Sequence, residues 1–178
     1  MKRIKLLDRE FELSLSYKEI DGAIEKIADK MNKELAGVDP LMICILNGSF
    51  MFAADLMKKV NFPCKISFVK LSSYEGTGTT GTVKELIGLT ENIEGRTVVI
   101  LEDIIDTGIT IEKIIKQLEG YKPKDLKIAS MLFKPEACKA DINVDYIGLE
   151  IPNDFIVGYG LDYDGYGRNL PDIYTVVE

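Results

Sequence analysis

An α/β fold, with a central parallel sheet flanked by helices, is what this sequence predicts. Three observations carry the prediction. Apolar runs of strand length alternate with segments of helical period along the chain. The run "LMICIL" (41–46) is separated from the next helical segment by Asn47 and Gly48 alone, the short connection of a βαβ unit. With 178 residues, 46% hydrophobic and 29% charged content, one globular domain (1–178) with a substantial core is expected.

The elements follow in order. Ser16 to Lys33 reads as a helix: Ser16-x-x-Glu19 is a capping box, and Ile20, Ala23, Ile24, Ile27, Ala28 and Met31 repeat at helical spacing. "LMICIL" (41–46) is a buried strand, and "SFMFAADLMKKV" (49–60) the helix behind it. "CKISFVKL" (64–71) is a strand, followed by the Gly/Thr/Ser-rich loop "SSYEGTGTTGT" (72–82). "TVVIL" (97–101) is a strand, Thr110 to Leu118 a helix, and "LKIASMLF" (126–133) a strand. "DYIGLEI" (145–151) and "FIVGYG" (155–160) are short strands near the end. In such sheets ligands bind beyond the carboxyl ends of the strands, after Leu46, Leu71, Leu101 and Phe133.

Composition removes several classes of chemistry. The net charge of −7, with no long basic run, argues against a protein built to grip nucleic acid. The chain has no histidine, so Ser-His-Asp, Cys-His and His-metal sites are excluded and proton transfer falls to Asp, Glu, Lys or Tyr. Cys44, Cys64 and Cys138 are odd in number and unclustered, which reads as core or strand thiols rather than disulfides or a zinc site. "MKRIKLLDREFELSLSYKE" begins like a leader, but Asp8, Glu10 and Glu12 interrupt its apolar stretch. No window approaches a membrane span, and a cytoplasmic location is expected.

The informative stretch is "VVILEDIIDTGIT", Val98 to Thr110. A strand ends, a helix begins, and the backbone N–H groups between them, aided by the helix dipole, suit a phosphate. Thr107 and Thr110 add hydroxyls, and Gly108 allows close backbone approach. Glu102 and Asp103 repel a phosphate, but accept hydrogen bonds from vicinal hydroxyls and hold Mg²⁺ directly or through water. A phosphorylated sugar with free hydroxyls and a divalent ion is the ligand implied. For any one of these acids, a solvated strand end is the plain alternative. A second candidate, "GTGTTG" (Gly76 to Gly81), fits G-x-G-x-x-G with acids about 20 residues on. Against a dinucleotide fingerprint, "SSYE" loosens the turn and four threonines, Thr77, Thr79, Thr80 and Thr82, suit a helix start poorly. A loop that closes over an active site reads better.

"VVILEDIIDTGIT" resembles the phosphoribosyl-pyrophosphate motif of type I phosphoribosyltransferases, and Asp at 106 resembles the 6-oxopurine branch of that family. "LNGSF" (46–50) is similar to the family's pyrophosphate loop, "SSYEGTGTTG" to its catalytic loop, "LFKPE" (132–136) to the lysine segment of its purine site, and "DFIVGYGLDYDGYGRNLPDI" (154–173) to its C-terminal signature. The resemblance spans roughly residues 10–178. It implies a type I phosphoribosyltransferase-like fold with a small hood from about 1–15 and 140–178. It further implies transfer of 5-phosphoribosyl from phosphoribosyl pyrophosphate to hypoxanthine or guanine, Mg²⁺ as cofactor, and a homodimer or homotetramer.

Roles implied by the resemblance are as follows. Glu102 and Asp103 face the ribose hydroxyls and Mg²⁺, and Asp106, Thr107, Gly108, Ile109 and Thr110 hold the 5-phosphate. Asp106 also serves as general base or acid at a purine ring nitrogen. Lys134 contacts the 6-oxo group, Phe155 stacks on the base, and the Ile156 backbone meets its edge. Asp162 helps bind a second Mg²⁺, Gly48 and Arg168 touch pyrophosphate, and Ser73 and Tyr74 close over the reacting centre. Position alone leaves a surface lysine at 134, a core ring at 155 and a structural ion pair at 168 open. Asn47 and Ile109 stand where relatives often have Lys, and the cis peptide common in the family would fall here at Leu46–Asn47. Two other functions stay in view: a nucleotide-sensing, RNA-binding regulator on the same fold, and a dinucleotide-binding oxidoreductase.

Overall fold

The computed structural model describes residues 2–74 and 83–177, with only the backbone for 72–74 and 83–86. A hairpin of β1 (Arg3–Leu6) and β2 (Arg9–Leu15) leads into α1 (Tyr17–Glu34). Then come β3 (Leu41–Leu46), α2 (Phe50–Met57), β4 (Lys65–Tyr74), β5 (Val83–Ile87), β6 (Thr97–Ile105), α3 (Ile109–Glu119) and β7 (Asp125–Phe133). The chain finishes with β8 (Tyr146–Glu150), β9 (Ile156–Val157) and β10 (Ile173–Val176).

The main sheet runs β5-β4-β3-β6-β7-β8. The five strands from β4 to β8 in that row are parallel, and β5 is antiparallel to β4 at the edge. Successive side chains of a strand point to opposite faces. Accordingly Met42, Cys44, Val99 and Leu101 pack toward α1 and α2. Leu41, Ile43, Ile45, Val98 and Ile100 pack toward Ile111, Ile114 and Leu118 of α3. Both faces are therefore covered, as a parallel sheet requires.

The capping box forms as the sequence indicates: the Ser16 hydroxyl accepts from the Glu19 N–H, and the Glu19 carboxylate accepts from the Ser16 N–H at 2.9 Å. The six apolar positions of that helix are all buried. Each large one contributes about 1.5–3 kcal/mol by leaving water.

A second, four-stranded sheet, β1-β2-β10-β9, joins the two ends of the chain into a hood. Phe11, Val157 and Tyr174 form its small core, with Leu6, Leu13 and Leu170 around them. It is tied to the main body by Tyr159, whose hydroxyl donates to Asp55 of α2 at 2.6 Å.

Several boundaries differ from the sequence reading. Strand β6 continues through the acids to Ile105 because Glu102, Ile104 and Ile105 keep their parallel register with β7. Strand β4 continues to Tyr74, paired with Val83 of β5, a strand the sequence pattern does not announce. The helix expected over 49–60 is the shorter α2, ending at the Lys58 cap. "FIVGYG" forms only the two-residue β9, because Gly158, Tyr159 and Gly160 turn with positive φ.

Candidate active site

The site lies at the carboxyl ends of β3, β6 and β7, under the hood. Glu102 is buried within β6, and Asp103 beside it is half-buried. Burial pushes the Glu102 carboxyl well above its usual range, and the adjacent Asp103 charge adds to the rise. Burial raises Asp103 as well, opposed by the Ile104 N–H donating to it at 3.0 Å and by the charge of Arg168. Two acids held in this way favour a cation or a set of hydroxyl donors.

Immediately downstream the chain turns into α3. Gly108 is the N-cap with φ +79°, a conformation other residues adopt at a cost. It is also wedged, since a Cβ there would lie 2.7 Å from the Ala140 Cβ and 3.1 Å from the Cys138 sulfur. The turn is held from outside by the Lys139 N–H, which donates to the Thr107 carbonyl at 3.0 Å. Its own N–H groups at the start of α3 are thus presented to a cavity of about 270 Å³, lined by Glu102, Asp103, Asp106, Thr107, Gly108 and Thr110. Ile109 is exposed and does not line this cavity, and its N–H donates to the Thr107 hydroxyl at 3.5 Å.

At the end of β3 the Leu46–Asn47 peptide is cis. Gly48 follows and sits against the Asp103 carboxylate so closely that a Cβ would overlap it. Gly160 presses on the Gly48 carbonyl from the other side. The pyrophosphate-loop candidate is thus clamped between the acid pair and the C-terminal segment. The Gly160 clamp escaped the sequence reading, although two glycines around a tyrosine in "GYG" are a signal for close approach.

Lys134 is buried, with 7% of its side chain exposed, and its ammonium lies 3.0 Å from an oxygen of Asp106. The surface-lysine alternative is therefore excluded. Asn153 accepts from the same ammonium at 3.4 Å. Phe155 is 43% exposed, so it is not a core ring. Its carbonyl accepts from the Val176 N–H at 2.9 Å, and Ile156 pairs with Thr175, which fixes this segment to the hood sheet.

Arg168 is a structural ion pair as well as a site candidate: its guanidinium bonds Asp162 at 2.6 Å and the Gly160 carbonyl at 2.7 Å. The other Asp162 oxygen accepts from the Gly165 N–H at 2.7 Å. The side chains of Ser73 and Tyr74, and residues 75–82 of the catalytic-loop candidate, lie outside the described residues. The dinucleotide fingerprint, already disfavoured by its sequence, gains no support from the fold. It needs a strand-to-helix turn, and the chain here connects two antiparallel strands, β4 and β5.

An α/β sheet with a buried acid pair beside a strand-to-helix turn suits a phosphoribosylated ligand. The chain belongs to the phosphoribosyl transferase domain family, which residues 16–164 match. It is 37% identical over 178 residues to the hypoxanthine-guanine phosphoribosyltransferase of Aquifex aeolicus, covering 99% of each chain. It is 39% identical over 168 residues to the enzyme of that name from Streptococcus thermophilus, covering 94% of this chain and 93% of that one. The crystal structure of a hypoxanthine phosphoribosyltransferase from Staphylococcus aureus superposes with a TM-score of 0.85 at 37% identity, over 93% of this chain and 91% of that one. The type I phosphoribosyltransferase fold expected from the sequence is therefore the one adopted. No helix among the described residues is long and apolar enough to cross a membrane.

Proposed function

We propose that this protein transfers the 5-phosphoribosyl group of phosphoribosyl pyrophosphate to hypoxanthine or guanine, releasing pyrophosphate and forming the nucleoside monophosphate. One observation carries the reading: buried Lys134 is paired with Asp106 at the point where the phosphate turn meets the hood. Lys134 donates to the 6-oxo oxygen of the base. A 6-amino group in its place would set donor against donor.

Phe155 stacks on the base, and the Ile156 backbone meets its edge. The amides of 107–110 take the 5-phosphate, while Glu102 and Asp103 accept from the ribose diol. Among the described residues no group of three or more acids or thiols could hold a metal. Mg²⁺ is commonly held by one or two carboxylates together with substrate oxygens and water. Glu102 and Asp103 would be those carboxylates. Asp162 joins an ion only by giving up the Arg168 guanidinium or the Gly165 N–H. Mg²⁺ held there would supply charge that stabilises the leaving pyrophosphate.

As the bond from the anomeric carbon to pyrophosphate breaks, positive charge develops on the sugar, as in glycoside cleavage. The Gly48 backbone meets the diphosphate, and Arg168, swung from Asp162, neutralises it. The purine ring nitrogen attacks, and the base gives its imidazole proton to Asp106. One Asp106 oxygen is held by Lys134, and 47% of its side chain remains open to receive that proton on the other. Ser73 and Tyr74 close over the centre and exclude water. The protein works in the cytoplasm as a homodimer or homotetramer.

The test is an assay of nucleotide formation from hypoxanthine, guanine and xanthine with phosphoribosyl pyrophosphate and Mg²⁺. Turnover of hypoxanthine or guanine is expected, and absence of turnover with all three ends the proposal. The regulatory alternative predicts RNA binding that weakens with salt in a gel-shift series; none is expected.

A further inference from the structure

Phe155 does not stand alone in the hood. Its ring meets Tyr163 edge-on, at 5.8 Å and 83°, and Phe11 at 6.2 Å. The guanidinium of Arg9 lies 5.9 Å from the centre of the Phe155 ring and 5.2 Å from that of Tyr163. Among the described residues Arg9 forms no close salt bridge; besides the two rings it interacts with the Tyr163 hydroxyl and with the charge of Asp8. The neighbouring Asp8 accepts from the Tyr163 hydroxyl at 2.8 Å, which ties the turn between β1 and β2 to the C-terminal segment. Phe11, whose side chain is fully buried, anchors the group to the hood core.

A cation against an aromatic face is attracted by the ring quadrupole, and edge-to-face rings resist rotation about each other. Phe155 immediately precedes a two-residue strand, and it is nearly half exposed, so its backbone alone does not fix the plane of its ring. We propose that Arg9 is a positioning residue for the base: with Tyr163 it clamps the Phe155 ring in the orientation on which the purine stacks. The β1–β2 hairpin thereby takes part in base recognition without touching the base. The proposal rests on the assignment of Phe155 as the stacking ring.

The contribution of an exposed cation–aromatic contact is modest, and a loosened stacking surface weakens base binding rather than the chemical step. Arg9→Ala is expected to raise KM for hypoxanthine about three- to tenfold. Its KM for phosphoribosyl pyrophosphate and its kcat are expected to stay within about twofold, and its melting temperature close to that of the parent, since Arg9 is exposed. Arg9→Lys keeps the charge but not the planar fork, and is expected to recover part of the affinity. Phe155→Leu, assayed in parallel, separates the two claims. A raised hypoxanthine KM in Phe155→Leu with none in Arg9→Ala overturns the role of Arg9 alone. Unchanged KM in Phe155→Leu overturns the stacking assignment and this inference with it. Equal losses for both substrates in Arg9→Ala indicate a merely structural contact and also overturn it.

Discussion

The Lys134 ammonium and the Asp106 carboxylate stand 3.0 Å apart, the lysine buried and the aspartate half open. The pair joins two functions that lie on different strands. Asp106 follows β6 and Lys134 follows β7, and the Lys134 N–H donates to the Ile105 carbonyl at 3.0 Å, which locks the two strand ends together.

Asp106→Asn keeps the hydrogen-bonding shape but removes the proton acceptor. A fall in kcat of about 10²–10⁴ is expected, with KM for phosphoribosyl pyrophosphate nearly unchanged. Steady-state kinetics check it, and undiminished kcat removes the acid–base role.

Lys134→Met replaces the ammonium with a side chain of similar length. Loss of a charged hydrogen bond to the 6-oxo group is expected to raise KM for hypoxanthine roughly ten- to hundredfold. Stability should change by less than about 1 kcal/mol, because Asp106 remains solvated once its partner is gone. Calorimetric melting beside kinetics tests both halves.

Gly48→Ala inserts a methyl into the Asp103 carboxylate while Gly160 blocks retreat on the other side. Overpacking of this kind costs about 1–3 kcal/mol. A lower melting temperature and weaker binding of pyrophosphate, measured by titration calorimetry, are expected together.

Glu102→Gln separates stability from function. Burial raises the Glu102 carboxyl in the folded state above its ordinary 4.5. Below that value both the folded and unfolded forms are protonated and nothing is lost. As pH rises toward and through the folded-state value, the unfolded chain ionises more readily and stability falls. Free of ligand, the Gln variant should therefore melt higher than the parent at neutral pH and alike below pH ~4.5. With phosphoribosyl pyrophosphate and Mg²⁺ added, the parent should gain more from binding, and the order should reverse. Melting curves across pH, with and without ligand, decide it.

Much of this was legible in the sequence because the signals are local. The Ser16–Glu19 box and the apolar stripe of α1 lie within one stretch, and so does the run from Val98 to Thr110. The hood strands were harder, because their partners are distant: Phe11 of β2 pairs with Val176 of β10. Alternation through Glu10, Phe11, Glu12 and Leu13 is a strand pattern, but nothing local says which edge it meets. Strand β6 outran its apolar core because pairing with β7, not side-chain hydropathy, holds Glu102 and Ile105 in register. Arg9 was missed because its rings arrive from residues 155 and 163, far along the chain.

The most direct test of the central claim is a crystal structure of the protein with inosine monophosphate. The phosphate should rest on the amides of Thr107 to Thr110, the ribose diol on Glu102 and Asp103, and the base between Phe155 and the Lys134–Asp106 pair. A nucleotide bound instead in the separate cavity lined by Ser14, Pro152 and Thr175, with the acid pair left untouched, would contradict the account.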